Sequence, residues 1–351
     1  MRPSSGTVRE RPGFAPALSW LRKTVEPRIS GCATERIKTN TLLTTVHRVD
    51  LAYDGGGPGC RSVIVKTIQP VWPDDPCGPD RERRFYVELA PRLEWGRPRV
   101  YHAGVDPSTS CRVIVMEDLA DDYRFPPPAH RWTPGELRCA LRAYARLHQR
   151  GQACLEDPGE RTWLWRMALQ QRTWRTEEIL TLWDDLVRRG IWASAAGRRR
   201  LVERTLADQS RFAREPETLL HNDVFPPNVG LPLDPDGEAV LLDWEMLGWG
   251  AAELDLAFMF LQPFRSAEGI DRTAALDFYW EQRRASGGAV PAPGERQARQ
   301  RHADALWTLS LLPVAHRAAV QPYPDGSAAR AYWDAMFGVL GERLARLCAD
   351  A

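Results

Sequence analysis

The segment LLHNDVFPPNVGL at residues 219–231 sets His221, Asp223 and Asn228 in the spacing H-x-D-x-x-x-x-N. An apolar run, VLL, then ends at Asp243, fifteen residues beyond Asn228. A carboxylate, an amide and a second carboxylate in this order suit phosphoryl transfer, which needs positioning and charge neutralisation more than covalent chemistry. Asp223 is the group expected to accept a hydrogen bond from a hydroxyl and take its proton as the oxygen attacks phosphorus. The amide oxygen of Asn228 and the carboxylate of Asp243 are hard oxygen donors of the kind Mg2+ prefers. Each residue also has a plainer reading: a turn aspartate, a turn former after Pro226 and Pro227, and a strand-end aspartate. His221 reads as a buried histidine bonding backbone near the Asp243 turn, since no second ligand set at zinc spacing accompanies it.

A cation for the phosphates has to come from elsewhere. Of the 47 basic residues only Lys23, Lys38 and Lys66 are lysine, so arginine is the default cation of this chain. Lys66 lies mid-strand in VIVKTI, where a lysine must either snorkel from a sheet edge or meet an anion. Glu82 shares a helix face with Tyr86 and Leu89 and is the expected partner, with Glu88 as its rival and a dipole-favoured first-turn glutamate as the plainer reading.

The elements that would position these groups can be read from hydrophobic period and punctuation. TTVHRVDLAY (44–53) alternates, GGGPG (55–59) turns the chain, and RSVIVKTI (61–68) returns, which predicts a β-hairpin. Asp80 is expected to cap a helix through RERRFYVELAPRL, whose Phe85, Leu89 and Leu93 form one stripe. RVYHAG (99–104) and CRVIVME (111–117) read as two more strands, and the proline-rich stretch 117–131 as the connector. Beyond it the chain turns helical: Thr133 and Glu136 form a capping box, Pro134 sits in the first turn and Gly151 closes the helix. Further helical patterns fall near 161–190, 194–214, 270–285 and 326–348. The order is α+β rather than alternating βαβ. It divides into a loose lead-in (1–20), a small antiparallel β lobe with one helix (21–118) and a larger, mainly α lobe (119–351).

Bulk composition narrows the function classes. Hydrophobic residues make up 43% and charged residues 26% of the 351, ordinary values for a soluble globular protein. A net charge of +1 offers no field for nucleic acid or an acidic membrane. No run has the apolar length of a membrane span, and the N-terminal stretch lacks a signal-peptide core. Seven scattered cysteines without a C-x-x-C pair point to reduced thiols in a cytoplasm.

HNDVFPPN with LLDWE, an upstream VIVK, and RERRFY before a strand ending MEDL resemble the aminoglycoside phosphotransferase and choline kinase-like superfamily. HND, the FY pair and EDL are similar to its choline kinase and ecdysteroid kinase-like branches. The resemblance covers 29–260 and implies a bilobal protein-kinase-like fold that uses ATP or GTP with Mg2+. On it, Asp223 is the catalytic aspartate, Asn228 and Asp243 are the metal ligands, Lys66 is the phosphate lysine and Glu82 its ion-pair partner. Thr41 falls in the phosphate-covering loop, TNTLLT (39–44), which here has no glycine. Glu117 to Leu119 take the place of the hinge that reads the adenine edge, and Asp255 that of a buried brace for the catalytic loop. Asn222 stands where protein kinases carry arginine, DWE stands for DFG, and no A-P-E segment follows. These departures imply a small-molecule hydroxyl acceptor, with an antibiotic or natural product as the leading substrate class. A choline-like amino alcohol or a sugar is the alternative, and a non-catalytic nucleotide-binding pseudokinase is the alternative of another class. A monomer or homodimer is expected.

Overall fold

The computed structural model describes residues 18–40, 44–54, 59–70, 77–93, 98–155, 162–166, 174–212, 217–262, 265–320 and 327–350. The chain divides into two compact units, Met1–Val87 with Pro98–Asp121, and Glu88–Arg97 with Asp122–Ala351.

In the first unit a short helix, α1 (Leu18–Thr24), leads into β1 (Ile29–Asn40), β2 (Thr44–Tyr53) and β3 (Ser62–Ile68). β4 (Val100–Val105) and β5 (Arg112–Glu117) complete a five-stranded antiparallel sheet in the order β1-β2-β3-β5-β4. The expected β2–β3 hairpin is present, with Val46 opposite Lys66. Side chains alternate across a strand, so Val63 and Val65 enter a core with Leu21, Ile29, Val49, Val113 and Val115. Ile64, Lys66 and Ile68 point the other way. β3 is flanked on both sides, so Lys66 has no sheet edge from which to snorkel. β1 was not foreseen: ISGCATERIKTN has little apolar alternation because most of this edge strand is solvent-exposed.

Helix α2 (Gly78–Arg84) corrects the expected cap. Its N-cap is Cys77, with Pro79 in the first turn, so Asp80 lies inside the helix. Proline favours the first helical positions because its missing N–H is an orphan there anyway. Asp80 instead accepts from Arg83 Nε (2.6 Å) and Arg112 Nε (3.3 Å). The predicted continuous helix also widens into a π turn at Phe85–Leu89 before α3 (Ala90–Leu93). Phe85, Leu89 and Leu93 are nevertheless each 1% exposed, as their stripe requires.

In the second unit β6 (Tyr123–Arg124), β8 (Val229–Pro232) and β9 (Val240–Leu241) form one small sheet. β7 (Thr218–Leu220) and β10 (Gly248–Gly250) form another. The helices are α4 (Pro134–Gly151), α5 (Thr176–Arg188), α6 (Arg198–Phe212) and α7 (Glu253–Leu261). α8 (Arg272–Ala285), α9 (Pro293–Ser310), α10 (Leu312–Val320) and α11 (Ala328–Ala349) follow. The capping box of α4 forms as predicted, with Glu136 N donating to Thr133 Oγ1 and Thr133 N to Glu136 Oε2. The main core joins Trp183, Leu201, Leu254, Leu306, Trp307 and Leu340. The end of α4 lies directly on β7: a Cβ on Gly151 would stand 2.7 Å from Thr218 Oγ1 and 2.9 Å from the Leu219 nitrogen.

Candidate active site

β7 delivers the chain to His221, and the backbone then turns through Asn222 in a left-handed conformation (φ 58°) to present Asp223. A single 3-10 turn, Pro226–Asn228, reverses it again, started by two prolines whose φ is already set. This turn brings the Asn228 side chain back onto Asp223: Nδ2 donates to Asp223 Oδ2 at 2.7 Å and to its carbonyl oxygen at 3.0 Å. With the amide nitrogen engaged there, the Asn228 carbonyl oxygen is directed away from Asp223.

The β8–β9 pairing then sets Asn228 beside Asp243. Leu242 N donates to Asn228 O at 2.9 Å, and Asp243 is the next residue. Asp243 is itself left-handed (φ 68°, ψ 66°), a conformation that aspartate and asparagine tolerate better than other side chains. Trp244, 1% exposed, packs beneath this turn, its ring 4.6 Å from that of His221. A carboxylate oxygen of Glu245 lies within 4.8 Å of one of Asp243. Asn228 and Asp243 therefore offer only oxygen, and Glu245 adds a further carboxylate, a donor set that fits a hard divalent cation.

His221 is fully buried and bonds Leu242 O through Nε2 at 2.8 Å, in keeping with the structural reading. The brace beneath the loop is Asp255, 1% exposed on α7. Its Oδ2 accepts from His221 N (2.8 Å) and its Oδ1 from Asn222 N (2.7 Å). Asn222 Nδ2 reaches Met246 O at 3.0 Å and so joins the loop to the Asp243 turn. Gly248 makes that approach possible, because a Cβ there would stand 2.4 Å from both Asn222 Nδ2 and Trp165 O.

In the first unit Lys66 Nζ lies 2.5 Å from Glu82 Oε2, with side chains 7% and 1% exposed. Glu82, not Glu88, is thus the partner. Glu117 N donates to Arg99 O at 2.8 Å while its carboxylate takes Arg99 N at 2.8 Å. The segment to Leu119 is pinned by Asp118, which accepts from Ser62 Oγ (2.7 Å) and pairs with Arg48 (3.0 Å). Thr41 lies outside the described residues.

The profile of the phosphotransferase enzyme family matches residues 50–297, more than half of the 351-residue chain. The chain belongs to the phosphotransferase enzyme family. It is a small-molecule phosphotransferase with an alcohol group as acceptor. Among solved structures it is similar to a candidate aminoglycoside phosphotransferase from Ralstonia eutropha JMP134, with 14% identity, a TM-score of 0.62 and 95% and 97% of the two chains covered. A spectinomycin phosphotransferase bound to ADP and spectinomycin matches with 10% identity and a TM-score of 0.55, covering 95% and 98%. Plasmodium vivax ethanolamine kinase matches with 11% identity and a TM-score of 0.55, covering 93% and 84%. At such identities the likeness is one of fold. No curated protein sequence matches.

Two features of this phosphotransferase escaped sequence reasoning. His148 and Tyr279 contact the brace Asp255 directly or through one another, yet they come from helices whose amphipathic pattern marks them only as core. Trp165 pairs as a single bridge with Gly248, and Arg166 stacks on Trp249 at 3.8 Å, beside the turn carrying Asp243. No spacing rule connects residues 165 and 248. Only the tryptophan density hinted at packing there.

Proposed function

We propose that this phosphotransferase transfers the γ-phosphate of ATP, or of GTP as the alternative donor, to a hydroxyl of an antibiotic or related natural product. The observation that carries the reading is the pair of contacts around Asn228: its side-chain amide donates to Asp223, and its backbone carbonyl accepts from the residue before Asp243. Asp223 orients the acceptor hydroxyl and takes its proton. Asn228 fixes the carboxylate rotamer through one hydrogen bond and offers its other polar atom to a metal. Asn228 and Asp243 would hold Mg2+, which when bound neutralises charge on the phosphates. Lys66 supplies a compact ammonium for the phosphates and Glu82 holds it extended. A guanidinium fork would not fit the same point contact. Glu117 to Leu119 supply backbone for the nucleotide base. A solved structure of similar fold carries ADP and spectinomycin, which supports the substrate class.

The test is radiolabelled phosphate transfer from ATP and GTP across a panel of aminocyclitols, macrolides, amino alcohols and sugars, with Mg2+ present. Product from an antibiotic acceptor in the wild type, and its loss by roughly 10²–10⁴-fold in Asp223→Asn with nucleotide affinity unchanged, is expected. Tight nucleotide binding with no transfer to any acceptor would instead identify a pseudokinase. Phosphorylation of amino alcohols alone would move the substrate class.

A further inference from the structure

At the carboxyl end of α7 the chain gathers positive charge that its neighbours do not fully balance. Arg343 of α11 is partly buried, and its Nη2 donates to Phe260 O at 2.9 Å, an orphan carbonyl of the last turn of α7. Arg272 of α8 lies over the ring of the same Phe260, its Cζ 5.1 Å from the centroid. Arg265 and Arg346 come in beside Arg343 through Glu342, the residue before it, at 2.8 and 3.9 Å. The acids here are already engaged. Asp304 accepts from Arg272 Nη2 at 2.7 Å and from Gln300 Nε2 at 3.0 Å. Glu268 is shared by Arg131 at 2.7 Å and Arg265 at 3.7 Å. Among the described residues no carboxylate lies within ion-pair distance of Arg343, and Phe260 O is its hydrogen-bond acceptor.

A carboxyl group or an imidazole so placed would shed its charge, but a guanidinium keeps its proton in proteins. Burial, with the cations of Arg272, Arg346 and Arg265 acting against the pull of Asp304, pushes Arg343 from 12.5 down to about 9. The charge therefore stays and is under-compensated, and a buried charge is costly unless something pairs with it. The Nε atoms of Arg343 and Arg272 are both sealed from solvent without a partner among the described residues. Nη1 of Arg343 is not sealed, so that edge of the fork is the one an incoming group can meet. Such an edge presents N–H groups that match the oxygens of a carboxylate or phosphate, and it is hydrated weakly enough to take them.

We propose that this end of α7 is a binding site for a small oxyanion, a phosphate or carboxylate group, held by the Nη1 edge of Arg343 with Arg272 as the second cation. Capping the carboxyl end of α7 is the plainer use of Arg343, and the experiment separates the two. Urea unfolding of the full chain is followed at constant ionic strength while chloride is exchanged for phosphate, sulfate or acetate. A bound oxyanion at roughly ten times its dissociation constant lowers the unfolding constant by about tenfold. The wild type should show a saturable fall of that size with phosphate and sulfate, with acetate, or with all three. Arg343→Met, which keeps the stem and removes the charge, should lose it. Arg272→Met should weaken the response by a few-fold, and Arg188→Met, at an exposed arginine of α5, should leave it unchanged. General salting by phosphate and sulfate acts on every variant alike, as does phosphate held elsewhere, so the difference between wild type and Arg343→Met isolates the site.

A response to phosphate and sulfate without acetate names a tetrahedral oxyanion; the reverse names a carboxylate. The same salt dependence in wild type and Arg343→Met would leave Arg343 as a helix cap and overturn the proposal. So would the lack of a saturable response to all three anions. Should Arg343→Met fail to fold, Arg343→Lys keeps the charge without the fork and should raise the half-effect concentration several-fold. An unchanged half-effect concentration in that variant would overturn the proposal as well.

Discussion

Asp243 and Asn222 are two of the four non-glycine residues described with positive φ; Asn222 precedes the proposed base Asp223, and Asp243 is itself a proposed metal ligand. Strain of this kind costs about 1–3 kcal/mol and persists only where the surroundings enforce it. Here the enforcers are Trp244 packed under one turn and Asp255 under the other. Asp243→Ala should abolish Mg2+-dependent nucleotide binding, checked by calorimetry with and without the metal; a variant whose affinity the metal still raises as in the wild type would contradict the role of Asp243 as ligand. At Lys66, truncation to alanine leaves the Glu82 carboxylate buried without its cation, an arrangement that costs about 3–5 kcal/mol in comparable buried pairs. Urea unfolding should show that loss, and the double change Lys66→Met with Glu82→Leu should recover much of it while leaving nucleotide affinity low. At this scale the sequence was most informative where the partners are close in the chain. Asp223 and Asn228 are five residues apart and meet through one turn, whereas His148 and Tyr279 are 131 apart and look like any other core pair.

Elements were legible where one face is buried and the other wet, as in β2 and α4, since alternation and capping then appear in the letters themselves. β1 failed that test as an exposed edge, and α7 failed it from the other side. Its sequence ELDLAFMFL is apolar nearly all round because it is buried on nearly all faces, so no helical stripe stands out. The π turn at Phe85–Leu89 left no signature, because an inserted residue in a helix keeps the apolar residues inside. Close approach between elements is likewise invisible until they are placed together. Gly151→Ala would push a methyl against Thr218 Oγ1 and the Leu219 backbone. Overpacking of this order destabilises by about 1–3 kcal/mol. Because the strand it displaces leads directly into His221, kcat should fall along with the urea midpoint. A variant with lowered midpoint and unchanged kcat would show that β7 does not transmit the shift.

Across the whole molecule, acid sensitivity follows from buried histidines. Burial pushes His302 from 6.5 down to about 4, and His148 moves in the same direction. A histidine whose folded value is lowered is neutral in the fold while the unfolded chain takes up a proton. Stability is therefore full above pH 6.5 and is lost as pH falls towards 4. For His302 that loss amounts to about 3 kcal/mol by the usual conversion of pH units to free energy. Urea unfolding at pH 7.5 and 4.5 should show the decline, and His302→Gln should flatten it by a comparable share. The family could be anticipated from a handful of motifs. The acceptor substrate could not, since no motif marks the helices from α8 onward.

The scarcity of lysine gives the chain an unusual chemical address. An amine-acylating reagent meets exposed Lys23 readily, whereas Lys66 is shielded and its nitrogen is held as an ammonium against Glu82. Modification of Lys66 requires that pair to part, so its acylation rate, read by peptide mass, is a clock for local opening of the first unit. A nucleotide that occupies the ammonium should slow the clock at Lys66 and leave Lys23 unchanged.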